Sequence, residues 1–183
     1  INAYLGSDGI VPFIKDCKEN NKGIFILVRT SNPSGKELQN LIVTHKNKPL
    51  YEIMGNYVSE WGKDYCGKFG YSLVGAVVGA THKEEAEKLR KANPSTFFLV
   101  PGYGAQGGKA EDLAVCFDND GLGAVVNSSR AILCAYQNPQ YKGLDFALAA
   151  RQATLDMKND ILTALKQEKN IDYKKTKYKY NLV

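Results

Sequence analysis

The chain has 183 residues, 44% hydrophobic and 23% charged, values typical of a globular domain with a sizeable core. No apolar run approaches the roughly 20 residues that a membrane span needs. Residues 1–10 have neither the basic nor the apolar region of a signal peptide. The formal net charge of +5 is modest and suits an anionic small molecule. These features exclude a membrane protein and favour a cytoplasmic one.

The cysteines and histidines argue against a metal site. The four cysteines are widely spaced and contain no C-x-x-C pair, and only two histidines accompany them. We therefore expect reduced thiols, as in cytosolic proteins, and no bound metal. The chain begins with Ile1 rather than methionine, so we expect it to be a piece of a longer protein.

Residues 171–183 form a tail in which lysines alternate with tyrosines. Such a pattern can bind nucleic acid. The rest of the chain has no nucleic-acid-binding motif, so we expect a solvated or loosely docked tail and no nucleic-acid partner. Residues 1–170 contain no linker or low-complexity segment and are predicted to form one domain.

Four short apolar runs predict the buried strands of a parallel sheet, each followed by turn or polar residues: 23–30, 73–80, 96–100 and 122–126. Helices are predicted between and after them, at 35–41, 49–62, 82–91, 110–114 and 143 to about 166. The last helix is predicted to bury Phe146, Ala150, Ala153, Met157 and Leu162.

Strand–helix units in regular succession indicate an α/β fold, either a doubly wound sheet or a (β/α)8 barrel. A barrel needs eight strands and typically about 250 residues. This chain offers four strands and the stub of a fifth at residues 1–2. Either the sheet is open, or the chain lacks the N-terminal half of a barrel.

The strongest candidate site follows the third predicted strand. Pro101 ends that strand, and glycines at 102, 104, 107 and 108 come next. Glycine permits positive φ and lets backbone N–H groups approach a ligand closely, while the following helix directs its N-terminus at the same point. Gln106 adds an amide donor. The pattern suits a phosphate site, although on its own it fits a tight structural connection equally well.

The next predicted strand runs into Asn127–Arg130, which adds hydroxyl donors and an arginine. Adjacent parallel strands place the two loops side by side, as in the phosphate site after strands 7 and 8 of a barrel. Arg130 would pair with a phosphate in a bidentate manner. The alternative is an arginine bonded to a neighbouring carboxylate. Ser31, after the first strand, could hydrogen-bond a ligand, although a turn role is favoured there.

Five segments taken together resemble the type 2 (bacterial-type) orotidine 5'-phosphate decarboxylases from residue 1 to about residue 165: NAYLGSDG, LVRTSNPSG, VGAVVGAT, PGYGAQGG and GAVVNSSR. The resemblance implies a (β/α)8 TIM barrel, with this chain supplying about the C-terminal half. It implies a homodimer that converts orotidine 5'-monophosphate (OMP) to uridine 5'-monophosphate (UMP) in pyrimidine biosynthesis, without a metal or organic cofactor.

The resemblance also implies roles for individual residues. Gln106 and Arg130 would hold the 5'-phosphate, with help from the backbone N–H groups of Ser129 and Arg130. Ser31 would read the pyrimidine, while Pro101 and Tyr103 would wall the base pocket. Such a remote grip makes physical sense, because binding energy from a non-reacting group can orient the reacting centre.

One family feature is missing from this sequence. The catalytic D-x-K-x-x-D motif and its partnering lysine are absent, and the closest approaches are Lys15-Asp16 and Lys158-Asn159-Asp160. In the family, the carboxylates destabilise the substrate carboxylate or favour the carbanion, and the lysine protonates C6. We expect these groups in an upstream half of the barrel, and we expect this chain alone to be inactive.

Two alternatives remain open at this stage. One is another phosphate-binding barrel enzyme, such as a sugar-phosphate isomerase or a 3-keto-acid decarboxylase. The other is a non-catalytic phosphate-binding half-barrel. Whether the protein is fused to orotate phosphoribosyltransferase also stays open.

Overall fold

The computed structural model describes residues 1–104 and 107–171. The strands are β1 (Ile24–Arg29), β2 (Ile42–Val43), β3 (Lys48–Pro49), β4 (Val74–Val78), β5 (Phe98–Pro101) and β6 (Ala124–Asn127). The helices are α1 (Gly6–Glu19), α2 (Lys36–Gln39), α3 (Leu50–Gly62), α4 (Lys83–Ala92), α5 (Ala110–Leu113), α6 (Arg130–Leu133) and α7 (Phe146–Lys169).

The main sheet has four parallel strands in the order β1-β4-β5-β6. Each crossover between neighbouring strands contains at least one helix, which is the connection that parallel strands require. The four predicted strands and five predicted helices are thereby confirmed. A two-stranded antiparallel hairpin, formed by β2 and β3, was not predicted from the sequence.

A short extension continues the sheet beyond β1. The backbone nitrogen of Ile1 donates to the carbonyl oxygen of Phe25 at 2.6 Å, and the Leu27 N–H donates to the Ile1 carbonyl oxygen at 2.9 Å. These two bonds lie on either side of Ile26 in β1, as expected for two neighbouring strands that run parallel. The predicted stub of a fifth strand at residues 1–2 therefore lies at the β1 edge of the sheet.

The two faces of the main sheet are covered unequally. Alternate residues of the strands point toward the helices and are at most 3% exposed: Ile26, Val28, Val74, Ala76, Val78, Phe98 and Val100. They form one core with α1, α3, α4 and the C-terminal half of α7. On the opposite face, Leu27 is 41% and Val125 is 45% exposed. The helices thus cover one face of the sheet and leave apolar side chains on the other.

The predicted inward face of α7 was partly wrong. Ala153 is buried as expected, but Phe146 is 56% exposed, and Ala150, Met157 and Leu162 are only partly buried. The helix begins at Phe146 after the Asp145 cap, and its buried side chains are Ala149, Ala153, Ile161, Ala164 and Leu165. Ala149 and Ile161 are thus buried in place of the predicted Ala150 and Leu162. The N-terminal part of α7 packs on a separate small cluster with Ala135 and Tyr141.

No helix within the described ranges is long and apolar enough to cross a membrane. The four cysteines are unpaired, with Cys17 and Cys116 buried and Cys66 and Cys134 exposed. Ile171 is buried against the core, and the remainder of the predicted tail, residues 172–183, lies outside the described residues.

Candidate phosphate-binding site

The carboxyl ends of the four parallel strands form a continuous rim. Pro101 of β5 is in register with Asn127 of β6, so the loops that follow these strands begin side by side, as predicted. The Ala80 N–H donates to the Pro101 carbonyl oxygen at 2.9 Å, and the Gly79 N–H donates to the Arg29 carbonyl oxygen at 2.7 Å. These bonds join the ends of β1, β4 and β5 into one surface.

The loop after β5 needs its glycines. Gly102, Gly104 and Gly107 have φ values of +108°, +72° and +89°, which side-chain-bearing residues rarely adopt. Gly108 is required for a different reason, because a Cβ there would lie 2.8 Å from the Ala80 Cβ and the Gly102 carbonyl oxygen. The chain is therefore forced into a tight loop that keeps its backbone close to the rim.

A small cavity lies between the two loops. Its volume is about 230 Å³, and its lining is Pro101, Gly102, Tyr103, Asn127, Ser128, Ser129 and Arg130. Sites that enclose a whole small molecule measure roughly 300–1,000 Å³. This cavity is thus sized for one part of a ligand. The Ser128 hydroxyl donates to the Tyr103 carbonyl oxygen at 3.2 Å and joins the two loops at its wall.

Arg130 is the cation of this cavity. It is exposed, and within the described ranges no carboxylate forms an ion pair with its side chain. Arg130 is also the first residue of α6, so its backbone N–H has no acceptor within the helix. The guanidinium and this N–H are both available to an anion, whereas the alternative of an arginine bonded to a neighbouring carboxylate has no counterpart among the described residues.

Tyr103 lines the cavity but directs its hydroxyl away from the rim. The hydroxyl donates to the Asp160 carboxylate of α7 at 2.7 Å. Burial and this carboxylate raise the pKa of the Tyr103 hydroxyl well above its usual range. The hydroxyl therefore stays protonated and fastens the β5–α5 loop to α7, and only the remaining surface of the residue faces the cavity.

Ser31 lies at the same rim, three strands away from Arg130. Its carbonyl oxygen accepts a hydrogen bond from the Thr81 hydroxyl at 3.2 Å. A Cβ added to Gly79 would come within 2.7 Å of the Ser31 nitrogen, so the two strand ends are in close contact. The structure thus places Ser31, Pro101, Tyr103, Ser129 and Arg130 along one rim, while Gln106 lies outside the described residues.

The nearest approaches to a catalytic lysine–aspartate motif lie away from this rim. Lys15 and Asp16 are exposed on α1, and Lys158 is exposed on α7. Asp160 accepts the Tyr103 hydrogen bond on the outer side of the loop. In the described ranges, no lysine with flanking aspartates faces the cavity between the two loops.

A larger cavity of about 670 Å³ lies elsewhere, lined by residues of α4, the turn after α5 and the end of α7. Its buried cation, Arg90, donates to the carbonyl oxygens of Gly123 at 3.2 Å and Thr96 at 2.6 Å. Its Lys169 ammonium donates to the Phe117 carbonyl oxygen at 2.6 Å. Because these cations are committed to backbone acceptors, this cavity is a weaker anion site than the smaller one.

Comparison with known proteins identifies the family of the chain. Residues 1–145 match the family model described as "Orotidine 5'-phosphate decarboxylase / HUMPS family". The chain belongs to this family. An orotidine 5'-phosphate decarboxylase of Caldicellulosiruptor bescii is 49% identical over 164 residues, 90% of this chain and 52% of the relative. One of Clostridium kluyveri is 49% identical over 170 residues, 93% of this chain and 57% of the relative.

Solved structures of related proteins share the fold. The Leishmania donovani OMP decarboxylase superposes with a TM-score of 0.64 at 28% identity, covering 88% of this chain and 56% of the decarboxylase. The Leishmania donovani UMP synthase superposes with a TM-score of 0.66 at 32% identity, covering 87% of this chain and 32% of the synthase. The α/β architecture with a parallel sheet is therefore that of part of a decarboxylase-type (β/α)8 barrel. The chain spans about half the length of the curated relatives it matches.

Two contributors to the rim of this family member were not assigned their roles from the sequence: Thr81 was not singled out, and Ser128 was noted only as one of the hydroxyl donors after β6. Thr81 fixes the backbone of Ser31, and Ser128 joins the loops after β5 and β6. Both are small hydroxyl residues within three positions of the end of a strand. Their position alone could have marked them, because side chains at the carboxyl ends of neighbouring parallel strands meet at one edge.

Proposed function

We propose that the protein containing this chain decarboxylates orotidine 5'-monophosphate to uridine 5'-monophosphate in pyrimidine biosynthesis. The observation that carries the proposal is the pairing of two glycine- and serine-bearing loops around a cavity at the rim of a decarboxylase-type sheet. The arginine of this cavity has no ion-pair partner among the residues that the structure describes. The curated relatives at 49% identity, named orotidine 5'-phosphate decarboxylases, support it over the sugar-phosphate isomerase and 3-keto-acid decarboxylase alternatives.

In this proposal the chain supplies the binding part of the site. Arg130, the backbone N–H groups of Ser129 and Arg130, and Gln106 hold the 5'-phosphate. Ser31 reads the pyrimidine, while Pro101 and Tyr103 contribute to the wall of the base pocket. A doubly charged phosphate at an exposed guanidinium and free backbone N–H groups forms charge-assisted hydrogen bonds.

The proton donor and the carboxylate array belong to a complementary half of the barrel, which carries D-x-K-x-x-D. The apolar face with Leu27 and Val125 supports this arrangement, because those side chains would become barrel interior when further strands close the sheet. We further propose that residues 1–170 form one domain followed by a tail, that the protein is a homodimer, and that it works in the cytoplasm, where unpaired cysteines persist. No metal or organic cofactor takes part.

Replacing Arg130 by alanine tests the phosphate assignment in the intact protein, meaning the full-length polypeptide that contains this chain. Arg130→Ala should cost about 2–3 kcal/mol of UMP binding, roughly a 30- to 150-fold weaker affinity, because a charge-assisted pair is lost. Calorimetric titration measures it. Uridine, which has no phosphate, should bind the variant and the wild type equally.

Arg151→Ala is the matched control, since Arg151 is an exposed arginine of α7 outside the cavity lining. It should leave UMP affinity unchanged. If Arg130→Ala keeps the wild-type affinity for UMP, the assignment of the phosphate grip is wrong.

A further inference from the structure

A buried arginine lies directly before the rim at the end of β1. Arg29 is 0% exposed, and its Nε donates to the Glu85 carboxylate of α4. Its guanidinium lies 5.7 Å from the ring centre of Tyr51 on α3. A buried charge is costly unless it is paired and hydrogen-bonded. The position of this guanidinium is therefore tightly fixed by two helices.

Gln39 of α2 connects this fixed guanidinium to the next residue of the chain. Its side-chain oxygen accepts from Arg29 Nη1 at 2.8 Å and from the Thr30 backbone N–H at 3.0 Å. Its side-chain nitrogen donates to the Thr30 hydroxyl at 2.8 Å. Two of these three hydrogen bonds hold the backbone and the side chain of Thr30, the residue immediately before Ser31, and the third joins the same amide to Arg29.

The other side of Ser31 is held by the end of β4. Thr81 donates to the Ser31 carbonyl oxygen at 3.2 Å, and Gly79 fits against the Ser31 nitrogen with no space for a Cβ. Ser31 is therefore held between two supports, Gln39 through Thr30 on one side and Thr81 on the other. Neither Gln39 nor Thr81 lines the phosphate cavity.

We propose that Gln39 is a positioning residue that sets the location of Ser31 and thereby strengthens the binding of the nucleobase. The inference rests on the proposed function, in which Ser31 contacts the pyrimidine. A hydrogen bond weakens steeply when its geometry is lost, so small movements of Ser31 reduce base recognition. The phosphate grip lies at the ends of β5 and β6, and none of the residues that line its cavity belongs to the Arg29–Gln39–Thr30 network.

The affinities of two ligands distinguish a positioning role of Gln39 from a role in the general stability of the protein. UMP and ribose 5-phosphate share the phosphate and the sugar, but only UMP carries the base. A purely structural role for Gln39 would weaken both ligands together. A positioning role weakens UMP and spares ribose 5-phosphate.

The experiment measures the dissociation constants of both ligands for Gln39→Met in the intact protein. Methionine keeps the length of the side chain and removes its amide. We expect UMP to bind about tenfold more weakly, the effect of one misplaced hydrogen bond, and ribose 5-phosphate to change by less than about twofold. Gln39→Glu keeps the acceptor for Arg29 and Thr30 and should recover most of the UMP affinity.

Thr81→Val provides a second variant that leaves the Arg29 network intact, and it should show the same selective loss. Gln152→Met is the matched control, because Gln152 is an exposed glutamine of α7 that bonds Asp156 away from the rim. It should change neither constant.

Equal losses for the two ligands, or no loss of UMP affinity in Gln39→Met and Thr81→Val, would overturn the positioning role. Failure of the wild-type protein to bind UMP would instead reject the proposed function. The two failures are therefore distinguishable in a single set of titrations.

Discussion

His82 follows β4 and lies against the buried Arg29–Glu85 pair. Its Nδ1 is 3.9 Å from the Glu85 carboxylate, and its side chain is 13% exposed. Burial, the Arg29 charge and Lys36 lower the pKa of His82, although the Glu85 carboxylate opposes the change. The folded protein thus favours neutral His82.

This lowered pKa predicts a pH dependence of stability. The unfolded chain binds a proton at His82 near the ordinary pKa of about 6.5, whereas the folded protein resists it. The contribution of His82 to the free energy of unfolding is therefore present above the unfolded pKa of about 6.5 and is lost as the pH falls from there through the lowered pKa of the folded protein. Urea unfolding of the intact protein between pH 7.5 and about 5 measures this slope, and His82→Gln should reduce it.

His45 provides the matched control, because it is an exposed histidine in the turn between β2 and β3. His45→Gln should retain the wild-type slope. If His82→Gln and the wild type lose stability in parallel across this range, His82 does not account for the slope.

At the scale of elements, the β5–α5 loop is held from two directions. Ser128 after β6 donates to the Tyr103 carbonyl oxygen, and the Tyr103 hydroxyl donates to Asp160 of α7. The outermost helix therefore helps to fix a loop of the proposed phosphate site. Asp160 therefore serves as the acceptor that anchors Tyr103 of this loop to α7.

Tyr103→Phe removes the hydroxyl and leaves the ring in place. We expect a loss of about 1 kcal/mol in the free energy of unfolding, the usual value for one hydrogen bond, because the Asp160 carboxylate can return to water. We also expect weaker binding of inorganic phosphate. Chemical unfolding and phosphate titration of the intact protein measure the two effects.

Tyr57→Phe is the comparison, since Tyr57 is 49% exposed on α3 and is not among the residues that line the phosphate cavity. It should change the stability by less than about 0.5 kcal/mol, as is usual for surface substitutions. Phosphate binding that is identical in Tyr103→Phe and the wild type would show that the bond to Asp160 does not fix the loop.

The sequence predicted the strands well, because each is a short apolar run bounded by turn residues. It also located the rim, since the glycines after β5 and the arginine after β6 follow adjacent strands. The inward face of α7 was predicted less well, because Phe146 looks like a core residue but lies on the exposed first turn. The hydrophobicity of Phe146 alone does not show which part of the protein packs against the first turn of α7.

The burial of charged side chains could not be predicted from the sequence. Arg90 lies on the Glu- and Lys-rich helix α4, where a charged side chain ordinarily faces water. Its relative exposure is nevertheless only 7%. Its Nη1 and Nη2 donate to backbone carbonyl oxygens of three separate segments, including Thr96 and Gly123. Such acceptors become neighbours only after folding, so no local pattern predicts them. The Arg29–Gln39–Thr30 network has the same origin.

At the scale of the whole molecule, one face of the main sheet carries exposed apolar side chains. Leu27 projects from this face and is 41% exposed, whereas its neighbour Val28 is 3% exposed on the helical side. In a closed (β/α)8 barrel, the inner face of every strand is filled by side chains. The proposed complementary half would therefore bury Leu27.

Leu27→Ala in the intact protein tests this burial. If the barrel closes over Leu27, the substitution should cost about 2–5 kcal/mol of unfolding free energy, the range for truncating a buried leucine. Leu38→Ala is the comparison, because Leu38 is 51% exposed on α2, and it should cost much less. Equal and small losses in the two variants would argue against a closed barrel.

The central claim is that this chain holds the substrate while the proton donor comes from outside it. Conversion of orotidine 5'-monophosphate to uridine 5'-monophosphate, compared between the intact protein and the 183-residue chain alone, tests it most directly. We expect turnover by the intact protein and none by the 183-residue chain alone. Turnover by the chain alone would show that the proton donor lies within these residues, and its absence in the intact protein would reject the proposed function.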